Sequence, residues 1–293
     1  MTSTPKPDVY STITDSIIEA IEAGQGTSTL PWHRAGDPLS RPRNVLTGNA
    51  YNGINILALW VSAMKRHFTA GTWGTYRQWQ EAGAQVRKGE KSTVVVFYKE
   101  LPPKDDGEDE DEGPRRVARS FRVFNADQVD GYTPPELPAV SEVERNTQAD
   151  AFVRATGADI RHGGGRAFYR QTTDHIQMPD LVRFTATATS TTTEGYYTTL
   201  FHELTHWSGH PARCARDLTG RFGDDAYAME ELIAELGAAF LAADLRVSPQ
   251  PRLDHAGYIA HWLRVLKADS RAVFTAAAKA SEAATYLSQL QTA

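Results

Sequence analysis

The sequence predicts an α+β protein of two domains: an amino-terminal α+β unit, and a carboxy-terminal unit that is mainly helical around a small sheet. Three observations predict it. The first half holds two β-branched and aromatic runs, STVVVFY at 92–98 and ARSFRVFN at 118–125, whose composition suits strands, the first of them buried. From Tyr197 onward the text is Ala-rich and helical to its end. Between them YTPPELPAVSE, with Pro134, Pro135 and Pro138, is the best linker, which places the domains at 1–137 and 138–293.

The elements follow in order. Val9, Ile13, Ile17 and Ile21 recur every four residues and Gly24 follows, the pattern of an amphipathic helix with a stop. Residues 24–53 carry so many Gly, Pro and Asn that a long loop is expected. Ile54 to His67 reads as a helix, and Thr75 caps a short one ending at Gly83. Ser92 to Asn125 then forms a long hairpin, with the acidic run Asp105 to Glu112 at its solvated tip. A helix at 146–157 precedes two short strands, RAFYRQ (166–171) and DHIQMPD (174–180).

Composition narrows the chemistry. The 293 residues carry 31 Lys+Arg against 36 Asp+Glu. No window approaches the ~18 apolar residues of a membrane span, and the polar opening lacks a secretory pattern, so a cytoplasmic protein without membrane contact is expected. A single cysteine, Cys214, excludes an internal disulfide and a Cys-based zinc cluster. Any metal must be held by His and carboxylates. Apart from its acidic run, the first 140 residues carry 16 basic against 11 acidic residues, a basic body that suits an anionic partner.

HELTH at His202 to His206 is the strongest chemical signal. Residues four apart share a helix face, so both imidazoles can bind one Zn2+ while Glu203 reaches water at the ion as a general base. With nine His and 17 Glu in the chain, chance would supply only about 0.016 such segments, so coincidence is a poor explanation. A catalytic zinc needs a third ligand. The extended HExxHxxGxxH pattern fails because position 212 is Ala, and His210 reads as a helix-terminal residue or a support for a ligand. The next helix, MEELIAELGAAFLAADL, supplies carboxylates: Glu231 is taken as the ligand, Glu235 as the group holding a His ring, and Glu230, about 100° away, as solvent-exposed. RAFYRQ or DHIQMPD is the candidate sheet edge for an extended substrate. The plainer reading of both is ordinary sheet strands.

The amino-terminal half combines Arg41, Arg43, Arg87, Lys88, Lys91, Arg115, Arg116, Arg119 and Arg122 with Trp32, Tyr51, Trp73, Tyr76 and Trp79. Basic groups neutralise phosphates and aromatics stack on bases, the pairing expected of a single-strand binder, but by composition alone the signal is weak: most Trp residues read as core, Trp60, flanked by Leu57 and Val61, foremost and Trp79 as a candidate.

Here the residues resemble a family. PRNVLTGNAYNGINILALW, TYRQWQEAGAQVRKGEKSTVVVFY and FRVFNADQVDGY resemble the amino-terminal domain of ArdC-type antirestriction proteins, itself similar to the start of plasmid primases, while LFHELTHWSGH with AMEELIAELGAAFL resembles the zincin-like metallopeptidase domain that follows it. The resemblance spans roughly Asp8 to Leu245. It implies a single-stranded-DNA-binding domain joined to a metalloprotease-like domain that protects incoming mobile-element DNA from restriction. It also implies His202, His206 and Glu231 as Zn2+ ligands and Glu203 as the catalytic acid. Three readings follow: a single-stranded-DNA-binding antirestriction protein, a DNA-recruited zinc peptidase cleaving a protein such as a restriction enzyme, or a fold in which the metal is purely structural.

Overall fold

The computed structural model describes residues 8–24, 30, 32, 40–101, 115–133, 141–186, 190–220, 224–247 and 255–292. The acidic run and the linker with the boundary at 137/138 lie outside the described residues. Eight helices and nine strands are described, in the expected α+β arrangement.

α1 (Val9–Gly24) buries Ile13, Ile17 and Ile21, the stripe read from the four-residue spacing. α2 (Ile54–Arg66) stops at His67, whose left-handed backbone (φ 57°) lets its N–H return to the Met64 carbonyl. α3 (Tyr76–Glu81) opens on the expected Thr75 cap, reinforced by Gln78 bonding back to the Thr75 N–H. Around these helices run β1 (Arg43–Asn44), β2 (Thr72–Gly74), β4 (Thr93–Leu101) and β5 (Arg115–Asn125) in the order β1-β2-β5-β4, while β3 (Gln85–Val86) pairs β6 (Val129–Asp130) apart from them. β4 and β5 form the expected antiparallel hairpin, with Val95 opposite Phe121 and Phe97 opposite Arg119. At Val96 the outer edge of β4 is closed by Asn55 of α2, which exchanges two 2.8 Å bonds with the strand backbone. Burial ends there: Phe97 and Tyr98 are half exposed, so the strand is buried over only part of its length.

The second half opens with α4 (Glu142–Ala155) and a three-stranded sheet of β7 (Asp159–His162), β8 (Phe168–Arg170) and β9 (His175–Met178) in the order β7-β9-β8. RAFYRQ supplies an edge, as expected of one of the two runs. DHIQMPD does not: β9 is paired on both sides, because β7, which the sequence pattern does not reveal, lies parallel to it. α5 (Thr192–Ser208), α6 (Asp225–Leu245), α7 (His255–Ala268) and α8 (Ala272–Gln289) complete the chain.

One apolar core crosses the midpoint of the chain. Ile17, Ile21, Leu57 and Trp60 of the first half bury with Phe240, Trp262 and Ala280 of the second, and the Trp60 and Phe240 rings lie 5.8 Å apart. A core continuous across both halves fixes the first two helices against α6 to α8, and α6 carries the carboxylates of the candidate metal site.

Candidate metal centre and nucleic-acid face

α5 brings HELTH into the interior. Thr191 and Glu194 cap its start reciprocally, and its last turn is clamped from outside by Arg213. That guanidinium lies 3.8 Å from the centre of the Trp207 ring and forks onto Asp174, which also accepts a 2.8 Å bond from the Tyr169 hydroxyl. Helix and small sheet are thereby locked in register. α6 then packs closely against α5 through Gly237: a Cβ there would fall 2.6 Å from both Cγ2 and Oγ1 of Thr205. Only a residue without a side chain allows that spacing.

The spacing sets the donors. His202, His206 and Glu231 offer one ligand atom each, all within 4.8 Å of one another. The two Nε2 atoms are 3.1 Å apart, and each lies 3.5 Å from a Glu231 oxygen. Two donors each ~2.0–2.1 Å from a tetrahedral ion stand about 3.3 Å apart, so the triangle already has the size that Zn2+ requires. Two imidazoles and one carboxylate also suit a borderline divalent cation that retains an open position. The residues therefore fit the group. Glu203 is 3% exposed and stands beside His202 on α5, outside the donor triangle.

Glu230 corrects the sequence reading. It is 8% exposed rather than solvent-facing, its Oε1 lies 3.1 Å from His206 Nδ1, and Arg216 forks onto it at 2.9 and 3.1 Å. A separation of about 100° around the helix does not keep Glu230 from His206. A ring has two nitrogens on opposite sides, so carboxylates from adjacent helix positions can approach both. Glu235, expected to hold a ring by hydrogen bonding, has Oε2 at 3.7 Å from His202 Nδ1, beyond bonding distance, while its Oε1 accepts a 3.2 Å bond from Trp32 Nε1. His210 sits just past Gly209, which caps α5, and its Nδ1 accepts from the Ala212 N–H, a helix-terminal role.

Electrostatics follow the geometry. Burial disfavours a charged His206, but Glu230 and Glu231 outweigh it and push the ring up to about 10. Burial likewise opposes ionisation of Glu231, yet bonds from His202 and His206 hold its carboxyl well below the usual range. Glu230 is lowered against its own burial by His206 and Arg216. Without a cation, the two carboxylates thus favour the protonated form of His206.

The basic and aromatic residues of the first half separate into two groups. Trp32, Tyr51, Trp73 and Trp79 are buried core, which removes them as exposed stacking groups, and Tyr76 alone of that set is exposed. Arg41 is paired with Asp244 at 3.0 Å, and Arg87 is tied to Glu90 and Asp130. Arg119, by contrast, is exposed beside two aromatics, Phe97 and Phe121, that the sequence pattern did not single out. Phe97 and Phe121, 48% and 42% exposed, meet edge to face at 5.4 Å, backed by Tyr51 at 6.4 Å from Phe97, with exposed Arg119 opposite Phe97 on the same sheet face. The alternation of the FRVF run was the signal that could have found it.

Comparison with known proteins agrees with both halves. Residues 7–129 match the N-terminal domain of anti-restriction factor ArdC, and residues 147–279 match a zincin-like metallopeptidase. The uncharacterized protein y4eC of Sinorhizobium fredii is 48% identical over 286 residues, covering 96% of this chain and 91% of the relative. A DNA primase TraC of Escherichia coli is 36% identical over 296 residues, and the chain spans only 27% of that primase's length while 94% of the chain is covered. The metal-free crystal structure of antirestriction ArdC from plasmid R388 superposes with a TM-score of 0.78 at 40% identity over 98% of both chains, and the Mn(II)-bound structure with 0.76 at 39% over 97% of this chain and 98% of the other.

Proposed function

This chain belongs to the ArdC antirestriction family, and from that premise we propose that it binds single-stranded DNA on the β4–β5 face and so protects incoming mobile-element DNA from restriction in the cytoplasm. The observation that carries the reading is the exposed Phe97–Phe121 pair with Arg119 beside it. Aromatic faces of this kind stack successive bases without reading sequence, and the guanidinium neutralises a phosphate. In this reading Zn2+ is the ion held by His202, His206 and Glu231.

When bound, the ion supplies Lewis acidity that polarises an acyl oxygen and makes water a better nucleophile near neutral pH. The chain's own residues do the rest. Glu230, fixed by Arg216, orients His206 so that its Nε2 lone pair faces the triangle. Glu203, buried beside the donors, accepts and returns a proton.

Binding is tested by titrating a short single-stranded oligonucleotide into wild type and Phe97→Ala/Phe121→Ala. Stacking is worth about 1 to 3 kcal/mol per base, so the double variant is expected to bind at least tenfold more weakly, and equal affinity would refute the assigned face. A second reading, a DNA-recruited zinc peptidase acting on a protein such as a restriction enzyme, is favoured by a separate observation: Glu203 is a buried carboxylate that a purely structural ion does not need. Glu203→Gln distinguishes the readings. If it retains metal and DNA affinity yet fails to protect DNA from restriction, the peptidase reading holds; full protection leaves DNA binding as the active function. For a purely structural ion, chelation lowers the melting temperature while Glu203→Gln changes nothing.

A further inference from the structure

We propose that Trp32 is a positioning residue of the metal centre, its indole N–H holding Glu235 against the Nδ1 side of His202 so that metal affinity in the second half depends on a side chain from the first. The inference rests on reading His202, His206 and Glu231 as a cation site.

His202 is 4% exposed, and its Nδ1 has no hydrogen-bond partner among the described residues. A buried ring nitrogen left unpaired costs free energy, and a ligand imidazole needs its far nitrogen protonated and held if the near one is to present a lone pair. The charged oxygen facing that nitrogen is Glu235 Oε2, 3.7 Å away, and a shift of about half an ångström would close the bond. Glu235 is therefore in place to fix His202 as Glu230 fixes His206.

The two carboxylates differ in what anchors them. Glu230 is held by Arg216, fourteen residues away in sequence, whereas Glu235 accepts its 3.2 Å bond from Trp32, 203 residues away in sequence. An indole N–H can only donate, so it supports Glu235 as an acceptor and leaves Oε2 directed at the ring. Trp32 is itself buried: it is 1% exposed and lies 6.5 Å from the Trp262 ring, whose own N–H is spent on the Ala228 carbonyl of α6. Further along α6, Arg41 fastens to Asp244 with its guanidinium over the Phe240 ring. The chain then enters β1 at Arg43, in the same sheet as the strand bearing Phe121. Both clasps come from the first half, and both land on the helix that carries the metal-site carboxylates.

The test uses the full chain and Zn2+ alone. Zn2+ affinity is measured by competition with a chromophoric chelator for wild type, Trp32→Phe, Glu235→Gln and the double variant, with the melting temperature of each metal-free protein confirming that it folds. Loss of a carboxylate supporting a ligand weakens metal binding about 10- to 100-fold, so Glu235→Gln is expected in that range. Trp32→Phe, which loses only the anchor, is expected to bind about three- to tenfold more weakly. Because both act through one contact, the double variant should bind no more weakly than Glu235→Gln. Wild-type affinity in Trp32→Phe, or additive losses in the double variant, would overturn the inference. Should Trp32→Phe not fold, Glu235→Gln, which keeps the side-chain shape, carries the test, and undiminished affinity there overturns it. A wild-type protein that takes up no Zn2+ would bring down the metal-centre reading and this inference with it. The other outcomes concern the inference alone.

Discussion

The two helices that carry the proposed donors approach closely at Gly237, which makes Gly237→Ala a sharp test of the site. The added Cβ would stand 2.6 Å from Thr205 Cγ2 and Oγ1, where ordinary contact begins near 3.4 Å, so the helices must part by about 0.8 Å or Thr205 must turn. Thr205 is fully buried with its hydroxyl donating to the Phe201 carbonyl, so turning sacrifices a buried bond. Overpacking costs about 1 to 3 kcal/mol, and the better helix propensity of Ala returns about 1, leaving a small net change in stability. Metal binding is hit harder. His202 and His206 ride on α5 and Glu231 on α6, so parting the helices stretches two 3.5 Å donor distances toward about 4.3 Å, well past the ~3.3 Å bite of a tetrahedral ion. Competition with a chromophoric chelator should show Zn2+ affinity reduced at least tenfold, with a melting temperature of the metal-free protein within a few degrees of wild type. Adding Thr205→Ala removes both clashing atoms and should restore much of the affinity. Wild-type metal binding in Gly237→Ala, or failure of the second change to rescue it, would refute the spacing argument.

Other consequences follow from charge. Because His206 is pushed up to about 10, one proton must leave before the ring can ligate, so apparent Zn2+ affinity should climb about tenfold per pH unit between pH 7 and 9; a flat profile would show that the ring is already neutral. The same shift has a stability sign: a raised folded value stabilises the metal-free protein fully below about 6.5, and that stability is lost as pH rises through about 10, so its melting temperature should fall over that alkaline range while the zinc-loaded form is spared. Replacing Arg119 with Gln should lower single-strand affinity and flatten its dependence on log salt by about 0.7 for the phosphate no longer neutralised, and an unchanged slope would place the phosphate-binding group elsewhere.

The long helices, the hairpin and the pairing of the two HELTH imidazoles were legible because each rests on local periodicity or fixed spacing. α1 follows from Ile13, Ile17 and Ile21, and Thr75 caps α3 through its own neighbours. The short strands were not. β1 and β6 are two residues each, and β7 is an exposed run whose strand character comes from its pairing with β9. Trp32, Tyr51 and Trp73 misled for a related reason: composition counts aromatics but cannot assign them to the inside or outside when their partners lie far along the chain.

At the candidate metal centre the boundary between legible and illegible falls between the proposed ligands and their supports. Glu231 could be chosen from its place on the next helix, because a third donor had to come from somewhere and few carboxylates were near. Nothing local distinguishes Glu230 from Glu235 as the partner of a given ring; that assignment depends on Arg216 reaching Glu230 from beyond α5 and on Trp32 reaching Glu235 from the other half of the chain. In the proposed arrangement these supports orient the two imidazoles toward a cation. On the proposed role of Trp32, a side chain of the first half supplies one of these supports, so the second half separated from the first would not keep the same metal chemistry. The shared core of α1, α2 and α6 to α8 points the same way, since the packing that buries Trp60 against Phe240 also holds the helix that carries Glu231.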